Sequence, residues 1–388
     1  MEKEEASNSL LRRLERRGVS RREFLRVCTI AAAAAGLPAW TAVRFAEAAS
    51  LKTRPSVIWL HFQECTGCTE SLLRTSHPAV AELILDLVSL DYHETLFAAA
   101  GVQAEDALRG AMKKNAGKYV CIIEGAIPVK ENGAYCKIGG RTAVEIVTGA
   151  VDHAGAIIAI GSCASWGGVA SADPNPTGAT GVPQLLKNAD YAAYLKGKPV
   201  VTLPGCPANP YNLLGTVLQY VTFGTLPALD DLGRPKFAYA RTIHEDCPRR
   251  AHFDAGRFAS MFGDENHRLG YCLYKTGCKG PKTYANCSQQ HFDEVVGAWP
   301  VGIGHPCIGC TEKSMGFRMP LYATVEIDRP TPPDTFAPIY SGESEVSPTA
   351  VGVAGLVVGA LAGAGVMAAR TLGKEAATGE GEEKEEGK

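Results

Sequence analysis

Apolar residues in the first half of the chain are bunched rather than alternating. Four short runs, at 57–62, 119–123, 156–160 and 200–203, are rich in Val and Ile. Continuous apolar runs of this length are expected of strands covered on both faces. Between them the spacing turns helical, at 70–74, 80–90 and 142–153. Such strand–helix alternation predicts a doubly wound α/β domain with a mostly parallel sheet. From about Asp230 the pattern fades, and Pro, Gly, Cys and aromatic residues increase. Little regular structure is expected there, and bound metal can hold such a region because its binding energy serves as folding energy.

The two ends of the chain carry different patterns. Ser20-Arg21-Arg22-Glu23-Phe24-Leu25-Arg26 follows a basic stretch and precedes an uncharged run at 27–40, with Ala46-Glu47-Ala48 beyond it. This is the order of a twin-arginine signal peptide, cleaved near Ala49, and Cys28 would leave with it. At the other end, 346–369 carries no charge and reaches roughly 36 Å as a helix, enough for a hydrocarbon core of about 30 Å. Arg370 and Lys374 follow it, so the expected orientation puts the C-terminus in the cytoplasm and the bulk of the protein outside. Gly355, Gly359 and Gly363 form a small-xxx-small strip suited to packing against another membrane helix. The acidic residues after Ala377 predict a solvated tail.

Cysteine supplies the candidate chemistry. Cys65 and Cys68 follow the first apolar run, Cys163 the third and Cys206 the fourth. Parallel strands place their carboxyl ends on one edge of a sheet, so these four can converge despite their separation in sequence. His244, Cys247, Cys272, Cys278, Cys287, Cys307 and Cys310 fill the irregular region. So many soft donors in Gly- and Pro-rich loops suit iron–sulfur clusters. Zinc is the rival occupant for the later cysteines, above all for the C-x-x-C at Cys307, although the seven later donors do not divide into two tetrahedral sets. A disulfide framework fits less well, because such domains are small and core-poor whereas this chain is 46% apolar. Cys121 and Cys136 read as packing thiols. Glu64 and Glu124 are carboxylates suited either to proton movement or to accepting backbone hydrogen bonds. A net charge of −2 gives no reason to expect a nucleic-acid partner.

Taken in order, E-C-T-G-C-T-E-S, E-G-A-I-P, G-S-C-A-S-W-G-G, P-N-P-T, P-G-C-P-A-N-P, H-E-D-C-P-R-R and W-P-V-G-I-G-H-P-C-I-G-C resemble the small subunits of nickel–iron hydrogenases. The resemblance spans roughly residues 55 to 325, and the leader and C-terminal run resemble those of the membrane-bound, periplasm-facing uptake group. It implies that Cys65, Cys68, Cys163 and Cys206 hold a proximal 4Fe–4S cluster. His244, Cys247, Cys272 and Cys278 would hold a distal 4Fe–4S cluster, the imidazole offering a solvent-facing ring edge. Cys287, Cys307 and Cys310 would hold a medial cluster, 3Fe–4S because Pro300 stands where a fourth cysteine would be. Gly67 and Gly168 occupy positions where some oxygen-tolerant members carry extra cysteines, so an ordinary four-thiolate cubane is implied.

The expected fold is therefore a flavodoxin-like doubly wound parallel sheet, an irregular iron–sulfur domain and a single C-terminal transmembrane helix. Its segments would be a signal peptide at 1–48, a flavodoxin-like domain at 49–230, a cluster domain at 231–345, an anchor at 346–372 and a tail at 373–388. The implied activity is dihydrogen oxidation at a nickel–iron centre in a large subunit, with no catalytic residue in this chain. Electrons would pass to a membrane cytochrome b or quinone-reactive subunit at the inner membrane. The alternative is a pure electron-transfer module of another exported or respiratory complex, but no ferredoxin-type C-x2-C-x2-C-x3-C run is present.

Overall fold

A computed structural model describes residues 54–76, 88–292 and 295–327, together with Thr29. Five strands, β1 (Ser56–His61), β2 (Ser89–His93), β3 (Val120–Glu124), β4 (Ala156–Ile160) and β5 (Val200–Leu203), form one sheet. Every pairing is parallel and the order is β2-β1-β3-β4-β5. This is the flavodoxin order, in which the ligand crevice lies past the carboxyl ends of β1 and β3.

Alternate residues of each strand feed two separate cores. Val57, Trp59, Val120, Ile122 and Ile158 face one. Ile58, Leu60, Cys121, Ile123 and Ile157 face the other. The elements that matter here are α1 (Gly67–Leu73), α2 (Gly101–Lys114), α3 (Ala143–Asp152), α4 (Gly161–Trp166) and α5 (Pro210–Phe223). Leu108 of α2 and Ile146, Val147 and Val151 of α3 cover the second face. Leu72 of α1 and Tyr211, Leu214 and Val217 of α5 cover the first.

Local sequence explains the helix ends. Thr142 and Glu145 close a reciprocal capping box at the start of α3. Asn209 caps α5, Pro210 occupies its first turn and Gly224 ends it at φ 69°.

The irregular region shares the first core, through Tyr239, Ile243, Leu273, Trp299, Val301 and Cys307. Among its described residues the helices are short, as at Lys236–Tyr239 and Glu265–Arg268. Arg234 ties it down by donating to Asp230 Oδ2 at 2.8 Å and Glu312 Oε1 at 2.7 Å.

One expectation needs correction. The helical spacing at 80–90 runs into β2, because Ser89 and Leu90 are strand residues. β2 is an edge strand whose polar residues have partners: Asp91 accepts from Ser56, Ser89 and Asn115. Residues 80–87 lie outside the described chain, as do the leader apart from Thr29, the 346–369 run and the acidic tail. Among the described residues no helix is long and apolar enough to cross a membrane.

Leu60 is fully buried in the central strand β1. Leu60→Ala is expected to cost about 2–5 kcal/mol, through lost transfer energy and a residual cavity. Thermal unfolding of the purified protein checks this, and an unchanged midpoint would contradict it.

Candidate metal centres

Three strand ends assemble the first group. The chain leaves β1 through 62–66, with Thr66 in the left-handed region at φ 61° just before α1, where Cys68 is buried. β4 runs directly into α4, which carries Cys163, and β5 is followed by Pro204-Gly205-Cys206. Ser162 locks the last two together: Gly205 N donates to Ser162 Oγ at 3.0 Å, and Ser162 N donates to Gly205 O at 2.8 Å. Burial first, then the charges of Glu124, Cys163 and Cys206, push the Cys68 thiol well above its ordinary range. Cys163 is pushed up to about 12 by burial, then by Cys206 and Cys65. The four sequence-predicted residues are therefore neighbours.

Glycine lets the backbone run against these sulfurs. A Cβ at Gly161, where φ is +79°, would stand 2.5 Å from Cys68 Sγ. A Cβ at Gly67 would stand 3.1 Å from Cys65 Sγ, and one at Gly168 2.6 Å from Cys163 Sγ. Both glycines singled out in the sequence thus abut the first group.

Of the two carboxylates, Glu124 accepts hydrogen bonds at both oxygens. It receives Cys68 N at 3.0 Å, Thr69 N at 3.3 Å, Thr69 Oγ1 at 2.7 Å and Trp59 Nε1 at 3.1 Å. It anchors the first turn of α1, where a negative charge also suits the helix dipole. Glu64 accepts from Thr66 Oγ1 at 3.3 Å and faces His61 Nδ1 at 3.4 Å, while its Oε2 is buried without a partner.

The second group lines a small cavity of about 20 Å³, in which His244, Cys247, Cys272 and Cys278 meet Arg249 and Tyr274. His244 Nε2 is buried with no hydrogen-bond partner. Burial, then Arg250, lower the imidazole to about 4, so the ring is neutral at physiological pH. Burial raises Cys247 to about 12 and Cys272 to about 11, and it raises Cys278 as well. The solvent-facing ring edge expected of His244 is not found: the residue is 7% exposed and Phe253 packs edge-on at 4.5 Å. Its place in the first core's irregular shell accounts for the cover.

Cys287, Cys307 and Cys310 line another cavity together with Trp299, Pro300 and Cys206. Burial pushes Cys287 up to about 12, with Cys307 adding to it. It does the same to Cys310, also to about 12, assisted by Cys287 and Cys206. Cys307 is raised by burial, then by Cys278 and Cys310. Hydrogen bonds tie this group to both others. Ser162 Oγ donates to Cys310 O at 2.7 Å, and Lys279 N donates to Cys307 O at 2.8 Å.

The donor set fits iron–sulfur clusters. Burial disfavours thiolates unless a cation stands beside them, and a coordinated metal supplies that charge. The unpartnered imidazole nitrogen in a thiol-lined cavity is a donor of the same kind. Every described cysteine is a free thiol. Cys121 and Cys136 stand apart, packed in or against the second core as expected. Sequence reasoning overlooked Arg249 in the second cavity and Lys279 beneath the third group. Lysine next to a cysteine in C-K-G-P was the available signal, but only the fold reveals its burial.

Residues 65–220 match the family model described as NADH ubiquinone oxidoreductase, 20 Kd subunit. Residues 239–323 match the model for the C-terminal region of the NiFe/NiFeSe hydrogenase small subunit. The chain is 49% identical to the Hydrogenase-2 small chain of Escherichia coli K12, over 92% of this chain and 94% of that one. It is 48% identical to the Quinone-reactive Ni/Fe-hydrogenase small chain of Wolinella succinogenes, over 77% of this chain and 82% of its relative. Among solved structures, a chain of the reduced, active Ni-Fe-Se hydrogenase from Desulfomicrobium baculatum matches with a TM-score of 0.65 at 33% identity. That match covers 70% of this chain and 100% of the other. With two converging strand-end and loop cysteine systems on a parallel sheet, and relatives this similar over nearly its whole length, the chain belongs to the nickel–iron hydrogenase small-subunit family, the electron-transfer partner of the large subunit in a hydrogenase complex.

Proposed function

We propose that the eleven donors hold two 4Fe–4S clusters and one 3Fe–4S cluster in a line, and that the protein relays electrons along it from dihydrogen oxidation in the large subunit. The observation that carries this reading is the position of the Cys287, Cys307 and Cys310 group. It is bonded through Ser162 to the first group and through Lys279 to the second. When bound, iron–sulfur clusters supply one-electron carriers whose potentials follow charge, hydrogen bonding and exposure.

Each set has its own part. Cys65, Cys68, Cys163 and Cys206 hold the proximal cluster at the sheet edge, with Glu124 fixing the turn that presents Cys68. Cys287, Cys307 and Cys310 hold the medial cluster, and Pro300 lines their cavity without a thiolate to offer. His244, Cys247, Cys272 and Cys278 hold the distal cluster. There a neutral ring replaces a thiolate and removes negative charge, which raises a potential. Gly67 and Gly168 leave four thiolates at the proximal site, so the protein lacks the six-cysteine route to oxygen tolerance. A spectroscopic signature of an opened, six-cysteine cluster would overturn that point.

The twin-arginine leader and the uncharged run at 346–369 support export and anchoring at the inner membrane, facing the periplasm. Arg370 and Lys374 support a cytoplasmic C-terminus. The acceptor is then a membrane cytochrome b or the quinone pool, and the quinone-reactive relative supports the second.

Metal and sulfide analysis of the purified complex tests the assignment. About eleven irons per small subunit, with acid-labile sulfide, are expected, whereas zinc without sulfide would sink it. Gly161→Ala drives a Cβ into Cys68 Sγ from a left-handed backbone. The variant is expected to lose about four irons, the content of one cubane, while the other two clusters remain; full iron content would refute the role given to Cys68. Gly359→Leu puts bulk on the small-residue strip of the anchor. Release of the membrane partner is expected, and unaltered co-purification would count against the strip.

A further inference from the structure

Lys279 follows Cys278 and is wholly buried, at 0% exposure. Its Nζ donates to three carbonyl oxygens, those of Pro320, Leu321 and Ala323, at 2.9, 2.7 and 3.4 Å. Three acceptors match the three N–H donors of an ammonium. A neutral amine has only two and would turn its lone pair on a carbonyl oxygen. The hydrogen-bond geometry therefore selects the charged form.

The stem of Lys279 lies under the C-I-G-C turn, since a Cβ at Gly309 would come within 3.2 Å of Lys279 Cδ. Its backbone N–H donates to Cys307 O at 2.8 Å. Burial lowers the pKa of this ammonium, and the neighbouring Cys307 and Cys278 act in the opposite direction. The ammonium thus belongs to the junction of the second and third groups, whereas the carboxylate acting on Cys68 in the first group is Glu124. An unpaired ammonium in such a place is costly, and thiolate-bound centres beside it offset the cost.

We propose that Lys279 is a positioning residue that holds a fixed positive charge between the medial and distal centres and keeps both reduction potentials high. Reduction adds negative charge to a centre, and a nearby buried cation stabilises the reduced form. The inference rests on the cluster assignment above, and iron analysis separates the failure of one from the failure of the other.

The test uses the purified complex with its large subunit, as wild type, Lys279→Gln and Lys279→Arg. Iron and sulfide are assayed first, and the centres are then followed by electron paramagnetic resonance through a redox titration. Lys279→Gln retains two N–H donors without charge. With iron content intact, it is expected to shift the medial and distal midpoints downward and to leave the proximal midpoint in place. Lys279→Arg keeps the charge and is expected to hold all three near wild type. Should the Gln variant lose iron, retention by the Arg variant still supports the requirement for charge. Wild-type potentials in Lys279→Gln, or loss of iron from both variants, would overturn the proposal. Absence of iron and sulfide from the wild type would instead overturn the cluster assignment.

Discussion

Thiols buried in a protein core resist ionisation, because a thiolate in a low-dielectric interior has lost its water and found nothing in exchange. The later cysteines of this chain are buried or half-buried, and the thiols of Cys287, Cys307 and Cys310 are raised first by burial and next by neighbouring cysteines. As thiolates such a cluster of donors is unfavourable unless cationic metal converts mutual repulsion into shared coordination. Among its described residues the irregular region has few strands or long helices of its own, so its structure would depend on that conversion. What regular packing it has comes from the sheet face on which Tyr239, Ile243 and Trp299 rest.

The sheet performs two tasks with one topology. Its parallel order gathers Cys65, Cys68, Cys163 and Cys206 at a common edge although the strands that deliver them are far apart in sequence. Its two faces are given different covers. Helices α2 and α3 close one face, and Cys121 and Cys136 are packed there as ordinary small hydrophobes. The other face is shared by α1, α5 and the irregular region, and Cys68, Cys247, Cys278, Cys287 and Cys307 belong to it. The ligand groups lie close together because their supporting segments rest on that one face.

How much of this was legible depends on what each residue's neighbours are. Strands β1, β3, β4 and β5 were readable because burial on both faces leaves unbroken apolar runs. β2 was not, since an edge strand with Ser89, Asp91 and His93 mixed among apolar residues resembles a helix terminus. α3 was readable from the helical spacing at 142–153, and the capping box of Thr142 and Glu145 at its start is a local pattern that the structure reveals. The first ligand group followed from topology, and the remaining ligand sets entered through family resemblance. The place of the third group between the others was not legible from spacing. It is defined by contacts such as Ser162 with Cys310, between residues 148 positions apart. The cover over His244 was likewise invisible, because Phe253 reaches it through the fold of the irregular region.

The fixed charges around the groups are asymmetric, and the asymmetry bears on direction. Glu124 presents a carboxylate to the backbone and thiol of Cys68, at the sheet edge. Where the second and third groups meet, Lys279 stands beside Cys278 and Cys307, and in the second group a neutral imidazole takes the place of one thiolate. On the ligand assignment proposed above, negative charge opposes reduction at the first centre and positive charge favours it at the other two. Loss of one thiolate charge at His244 acts in the same sense. An electron entering beside Glu124 is therefore biased toward the His244 end by groups that the polypeptide holds in place, before any contribution from a partner. Glu124 ends strand β3, and the region that carries Lys279 and His244 rests on the sheet face to which Val120 and Ile122 of that strand contribute, so the fold that assembles the ligands also imposes the electrostatic slope along them.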